Sequence, residues 1–140
     1  MKNQSSVAAL FLRFALGATF LSAVASRLGL WGEASSGWKN FVAYTAEVNS
    51  FAPASTVPFL AITATTLEIA FACLLIIGYK TKWAALGAGS LTLAFALAMT
   101  YSYGLKAPLD YSVFVFSSAG FLLSGTDQKW SLDEYLSRNS

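Results

Sequence analysis

The chain has 140 residues, of which 56% are hydrophobic and only 11% are charged, whereas a typical soluble domain is about 25% charged. A soluble protein of this length exposes too much surface to be covered by so few charges, while a lipid bilayer accepts an apolar exterior. The net charge of +2 is too small to indicate nucleic-acid binding, and the chain lacks histidine, the commonest general base and metal ligand. Its single cysteine, Cys73, excludes an intramolecular disulfide and a CxxC dithiol within this chain.

Four apolar segments follow one another along the chain, and each approaches the roughly 20 residues that a helix needs to cross the hydrocarbon core. An arginine interrupts the first segment, a glutamate interrupts the second, and the fourth segment is the shortest. We therefore predict one all-α membrane domain over residues 1–140, a four-helix transmembrane bundle. The predicted spans cover about residues 7–28, 57–78, 83–101 and 108–124.

The longest connection, between the first two spans, contains an amphipathic segment at about residues 36–50. Its apolar residues recur at helical spacing, which predicts a short helix lying on the bilayer surface, with an ordinary loop as the alternative. These residues are Trp38, Phe41, Val42, Thr45 and Val48. The tail at residues 125–140 mixes apolar and charged residues, and it predicts a second interfacial helix.

Basic residues predict the orientation, because cytoplasmic loops carry an excess of Lys and Arg. With both termini in the cytoplasm, the inner side holds more basic residues than the outer side, so we predict cytoplasmic N- and C-termini. The inner residues are Lys2, Lys80, Lys82, Lys129 and Arg138, and the outer ones are Lys39, Lys106 and, at the margin, Arg27.

Glu68 lies near the midplane of the second predicted span. An ionised carboxylate there costs at least ~2.5–3.5 kcal/mol, so such a residue usually faces protein or a wet cavity. Glu68 shares a stripe of small and polar residues with Thr65, and this stripe is predicted to face the bundle interior. Two interpretations stay open, a protonated acid that lines a ligand cavity and an ion pair with Arg13 of the first span. Arg13 alternatively extends to the inner headgroups.

Hydroxyl groups at similar depth extend this candidate site to the fourth span. Ser117 and Ser118 join Glu68, Arg13 and Thr65 as the predicted ligand-binding residues. The alternative is that these hydroxyls donate to backbone carbonyls of their own helices.

A second charged pair is predicted on the outer side. Arg27 ends the first span and Asp110 begins the fourth, at matching depth, so an ion pair between them would join the two helices. Lys106 is a competing partner for Asp110, and separate solvation of the two charges is the alternative.

Two stretches of the sequence carry a family resemblance. The first, FLRFALGATFLSAVASRLG, has an arginine, a glycine and a terminal basic residue, and the second, LEIAFACLLIIGYKTKWAALGAG, has Leu-Glu, an apolar run, glycine and a basic turn. Over about residues 7–124 the chain resembles the DoxX family of small four-span bacterial membrane proteins, whose plan the MauE-like and DoxD-like proteins share. Arg13 and Glu68 match the polar positions of that family in its first two spans. The resemblance implies a place in the bacterial inner membrane.

The same resemblance implies a role beside redox enzymes, because DoxD-like relatives are subunits of a thiosulfate:quinone oxidoreductase. The lack of a cysteine pair counts against a dithiol role for this chain. We predict an accessory subunit with no catalytic residue and no metal site, which binds a quinone or lipid-like ligand and works with a membrane or outer-side protein partner, or as a homo-oligomer. A ligand-free anchor or assembly factor is one alternative, and a small oligomeric transporter or channel is another.

Overall fold

The computed structural model describes residues 2–138, and its regular structure in this range is entirely helical. Two short 3₁₀ turns, Gly32–Ala34 and Ala54–Thr56, lie in the first connection. The last two residues of the predicted tail fall outside the described range. The α-helices are α1 (Lys2–Arg27), α2 (Trp38–Val48), α3 (Val57–Ile77), α4 (Thr81–Tyr103), α5 (Lys106–Asp110), α6 (Val113–Ser124) and α7 (Leu132–Arg138).

Three helical stretches are long and apolar enough to cross a membrane, namely Gln4–Arg27, Ala54–Ile77 and Thr81–Tyr103. They correspond to the first three predicted spans. The fourth predicted span is divided, because α5 ends at Asp110 and Ser112 adopts a left-handed backbone with a φ of 56° before α6 begins. The 12 residues of α6 extend about 18 Å, less than the hydrocarbon thickness of about 30 Å. The structure therefore supports three full-length apolar helices and one shorter apolar helix.

Small residues let the backbones of α4 and α6 touch. A Cβ atom added to Gly120 would lie 2.7 Å from the backbone nitrogen of Gly89, which is closer than real Cβ contacts. The Ser117 hydroxyl donates to the Gly89 carbonyl at 2.8 Å, and this bond ties the two helices together. Small residues at the contact therefore allow α4 and α6 to approach closely.

The central core lies between α1, α3, α4 and α6 and is built largely from alanine and leucine. Small side chains allow the helices to pack closely without a driving force from water exclusion. The buried members are Ala9, Leu16, Phe20, Ala72, Leu75, Ala84, Ala85, Ala88 and Leu123.

Helix α2 forms as predicted within residues 36–50, but much of its inner face contacts protein. Thr45 and Val48 are buried on this helix, and Val48 packs with Ala98 and Met99 of α4. Helix α2 therefore covers the ends of α3 and α4 on the side where α1 ends, which we call the loop end.

The tail closes the opposite end, where α4 begins. Both oxygens of the Asp133 carboxylate accept backbone hydrogen bonds, from Lys80 at 2.7 Å and from Thr81 at 2.8 Å. The Asp133 backbone nitrogen donates to the Gly78 carbonyl at 2.9 Å. A carboxylate beside the first amides of a helix satisfies donors that have no partner within the helix and interacts favourably with the helix dipole. The predicted helix in the tail is present as α7, and its first turn is anchored through Asp133 to the turn between α3 and α4.

Candidate functional site

Glu68 forms a buried ion pair with Arg27. Glu68 is 2% exposed on α3, and Arg27 is the last residue of α1. The guanidinium bonds to both carboxylate oxygens: Nη2 donates to Oε1 at 3.1 Å, and Nη1 donates to Oε2. Nη1 also donates to the hydroxyl of Thr65 at 3.1 Å. Such a two-pronged contact fixes the geometry of the pair as well as adding energy.

The aromatic ring of Phe41 covers the guanidinium. Its centroid lies 3.7 Å from Cζ of Arg27, within the range of a cation–π contact. Because Phe41 belongs to α2, Arg27 contacts both of the α-helices that follow α1 in the chain, α2 and α3. The loop end is therefore organised around a single arginine.

The directions of the side chains explain why this pair forms. Gly17 lies against Ala72 and Ile76, so the antiparallel α1 and α3 place Arg27 near the level of Ala64, about one turn from Glu68. Helical side chains lean toward the N-terminus of their own helix. In an antiparallel pair, Arg27 leans inward and Glu68 leans toward the loop end, so the two charges converge.

The alternative that paired Arg13 with Glu68 is wrong, because Arg13 lies at the tail end. It is 2% exposed, and its Nη2 donates to the Trp130 carbonyl at 2.8 Å. Its Nη1 atom is 3.0 Å from the position a Cβ would take on Gly78, so Arg13 is level with the end of α3. Arg13 therefore holds the tail rather than the polar interior.

The predicted pair of Arg27 with Asp110 is also wrong. Arg27 turns inward to Glu68, and Asp110 pairs with the competing partner Lys106, four residues earlier on the same short helix. The Lys106 and Asp110 side chains are well exposed, so their pair resembles surface ion pairs that contribute little.

The two serines of the fourth segment do not join Glu68. The Ser117 hydroxyl bonds to Gly89 of α4, and the exposed Ser118 hydroxyl donates to the Phe114 carbonyl within α6. Of the predicted ligand-binding residues, the structure brings together only Glu68 and Thr65. Arg27 was predicted to pair with Asp110. Its position at the end of the first span and the direction of its side chain could, however, have been inferred from the sequence.

A cavity of about 330 Å³ lies beside the ion pair, between α2, α3 and α4. Arg27 forms part of its wall, and the rest of the lining is predominantly apolar. This cavity, which we call the loop-end cavity, was missed in the sequence because it depends on how α2 covers the two longer helices. Its lining includes Phe41 and Val48 from α2, Leu60 and Leu67 from α3, and Phe95 and Met99 from α4.

The arrangement has the features of a small-molecule binding site. Within residues 2–138 no three His, Cys, Asp or Glu side chains group as metal ligands would. The carboxylate of Glu68 is engaged by Arg27 and so is not a free base. What remains is a largely apolar space with hydrogen-bond donors at one side, the usual design of a small-molecule pocket.

Comparison with known proteins assigns the family. A family model described as "Methylamine utilisation protein MauE" matches residues 5–110, a range that includes Arg27, Glu68 and all of the loop-end cavity except its contact with Val113. No curated protein and no solved structure matches the chain. The narrower resemblance to DoxX itself stays a prediction. The chain belongs to the MauE family, a multi-span membrane family related to DoxX-like proteins.

Proposed function

We propose that this protein binds a neutral, lipid-like molecule of the quinone class in the loop-end cavity and acts as an accessory subunit in methylamine utilisation. The observation that carries the proposal is the apolar cavity with the Arg27–Glu68 pair in or beside its wall. The family description supports the process. The partner protein, and not this chain, would consume or regenerate the ligand.

The charges beside the cavity favour a neutral ligand with a hydrogen-bond acceptor. Arg27 and Glu68 together are neutral, so an anion gains no net attraction from them. Arginine has five N–H donors, and three of them are used in the bonds to Glu68 and Thr65. A carbonyl oxygen, as in a quinone ring, is a suitable acceptor for a remaining donor.

The size and lining of the cavity determine how much of a quinone molecule it can hold. A volume of about 330 Å³ is at the lower end of the range for small-molecule pockets, about 300–1,000 Å³. It therefore suits a ring headgroup and the start of its tail, with the rest of the tail in lipid. Leu67 lines the cavity and is also partly exposed on α3, which provides a route for such a tail.

Copurification tests the proposal. Ala94 lines the cavity at an exposed position of α4, so Ala94→Phe should fill the space without disturbing the core. Ala70→Phe, at an exposed position of α3 away from the cavity, is the matched control. Quinone extracted from the purified protein should fall at least tenfold in Ala94→Phe and stay unchanged in Ala70→Phe. Equal quinone in both variants, or none in the parent protein, would instead favour the ligand-free anchor.

The orientation is part of the same proposal, because both termini in the cytoplasm would place the cavity on the outer side. In a Cys73→Ala background, single cysteines at Ser36 and at the exposed Lys82 lie at opposite ends of the molecule. An impermeant maleimide applied to intact cells should label the cysteine at 36 and leave the cysteine at 82 unlabelled. The opposite pattern would invert the orientation.

A further inference from the structure

Three tyrosines from separate segments surround a second space at the loop end. Tyr44 of α2, Tyr103 at the end of α4 and Tyr111 after α5 line a recess of about 370 Å³, together with Met99 and Ala107. We call this space the tyrosine recess. It adjoins the loop-end cavity, since Tyr44 and Met99 line both.

A carboxylate stands beside the tyrosine recess. Glu47 follows Tyr44 by three residues on α2, and it accepts a hydrogen bond from the Tyr103 hydroxyl at 2.8 Å. Among residues 2–138 no lysine or arginine forms an ion pair with Glu47. The negative charge is therefore available to a ligand.

The charge of Glu47 also affects the pKa of the Tyr44 phenol. Burial raises its pKa above the ordinary value, and the nearby Tyr111 and Glu47 raise it further. Tyr44 therefore keeps its proton at physiological pH. The phenol rings line the recess, and the exposed carboxylate of Glu47 lies next to it, on the hydroxyl of Tyr103.

We infer that the tyrosine recess binds a small alkylammonium ion. The faces of aromatic rings carry partial negative charge and attract cations, and grouped aromatic rings are a recurrent site for methylated ammonium groups. Glu47 supplies the full opposite charge, and the methyl groups of the ligand would contact Met99 and Ala107. An anion is disfavoured by the same carboxylate.

The grouping differs from an ordinary interfacial belt of aromatic residues. Tyr101, on the same helix as Tyr103, packs edge-on against Phe51 and does not line the recess. By contrast, the three recess tyrosines come from different segments and meet around one space beside a carboxylate. This contrast makes Tyr101 the matched control.

Calorimetry with tetramethylammonium and methylammonium tests the inference on the full chain in phosphatidylglycerol nanodiscs. Both probes should bind, and tert-butanol, a neutral molecule of similar shape to tetramethylammonium, should not. Loss of one ring in Tyr111→Leu should weaken tetramethylammonium binding about 2–5-fold, in keeping with an exposed cation–π contact. Glu47→Gln should weaken binding and reduce its dependence on salt, while Tyr101→Leu should leave binding unchanged.

Neither Tyr111 nor Glu47 lines the loop-end cavity, so quinone retention should be the same in these variants as in the parent. The two proposals can therefore fail separately. Competition by phosphatidylethanolamine in the nanodisc would identify a lipid headgroup as the natural source of the ammonium ion, and its absence would identify a free amine. Absent binding, equal binding of tert-butanol, or full affinity in both Tyr111→Leu and Glu47→Gln would overturn the inference.

Discussion

Replacing Glu68 by glutamine removes one charge of the buried pair and leaves the other in place. The side chains of Glu68 and Arg27 are 3% and 11% exposed, so Arg27 would stay largely desolvated without its counter-ion. Removal of one partner from a buried pair typically costs about 3–5 kcal/mol. Because the Arg27 side chain keeps 11% of its surface exposed, we expect a loss near the lower end, about 3 kcal/mol.

Equilibrium unfolding in mixed detergent micelles, followed by helical circular dichroism, measures this loss. The double variant Arg27→Gln with Glu68→Gln should recover part of it, because no charge then remains unpaired. Glu47→Gln, which removes an exposed carboxylate at the same end, is the matched control and should change the free energy of unfolding by less than about 1 kcal/mol. A loss below about 1 kcal/mol in Glu68→Gln, or simple additivity in the double variant, would refute the buried pair.

Three further substitutions separate strong contacts from weak ones. Gly120→Ala should destabilise the protein by about 1–3 kcal/mol in the same unfolding assay, since its new methyl group would clash with the backbone of Gly89; an unchanged midpoint would contradict the close packing. Asp133→Ala should lower the free energy of unfolding by about 1–3 kcal/mol, because two amides at the start of α4 lose their acceptor. It should also speed proteolysis of the tail, and equal cleavage rates would argue against anchoring. Asp110→Asn should change stability by less than about 1 kcal/mol, because its pair with Lys106 is exposed; a larger loss would restore a structural role for Asp110.

Composition and apolar segment length were enough to predict an all-helical membrane protein. The helix over part of residues 36–50 followed from its periodicity. These features depend on local sequence, so they can be predicted before the helices are assembled. The left-handed Ser112, which divides the fourth segment, has no strong local signal such as glycine or proline.

The pairing of charges was harder to predict, because it depends on register and side-chain direction. Counting residues inward from the membrane edge placed Arg13 within reach of Glu68. In the structure Arg13 lies level with the end of α3 instead, and it bonds to the tail. Arg27 reaches Glu68 because both side chains lean toward each other. The loop-end cavity depends further on the docking of α2, which no single segment specifies.

Photo-crosslinking with an azidoquinone in native membranes tests the central claim, that the loop-end cavity holds a quinone-like ligand. Peptide mass spectrometry should locate the label on lining residues such as Phe41, Leu67 and Phe95, and excess unlabelled quinone should abolish it. Labelling confined to lipid-facing positions such as Phe11 and Phe59, or labelling that unlabelled quinone does not reduce, would contradict the claim.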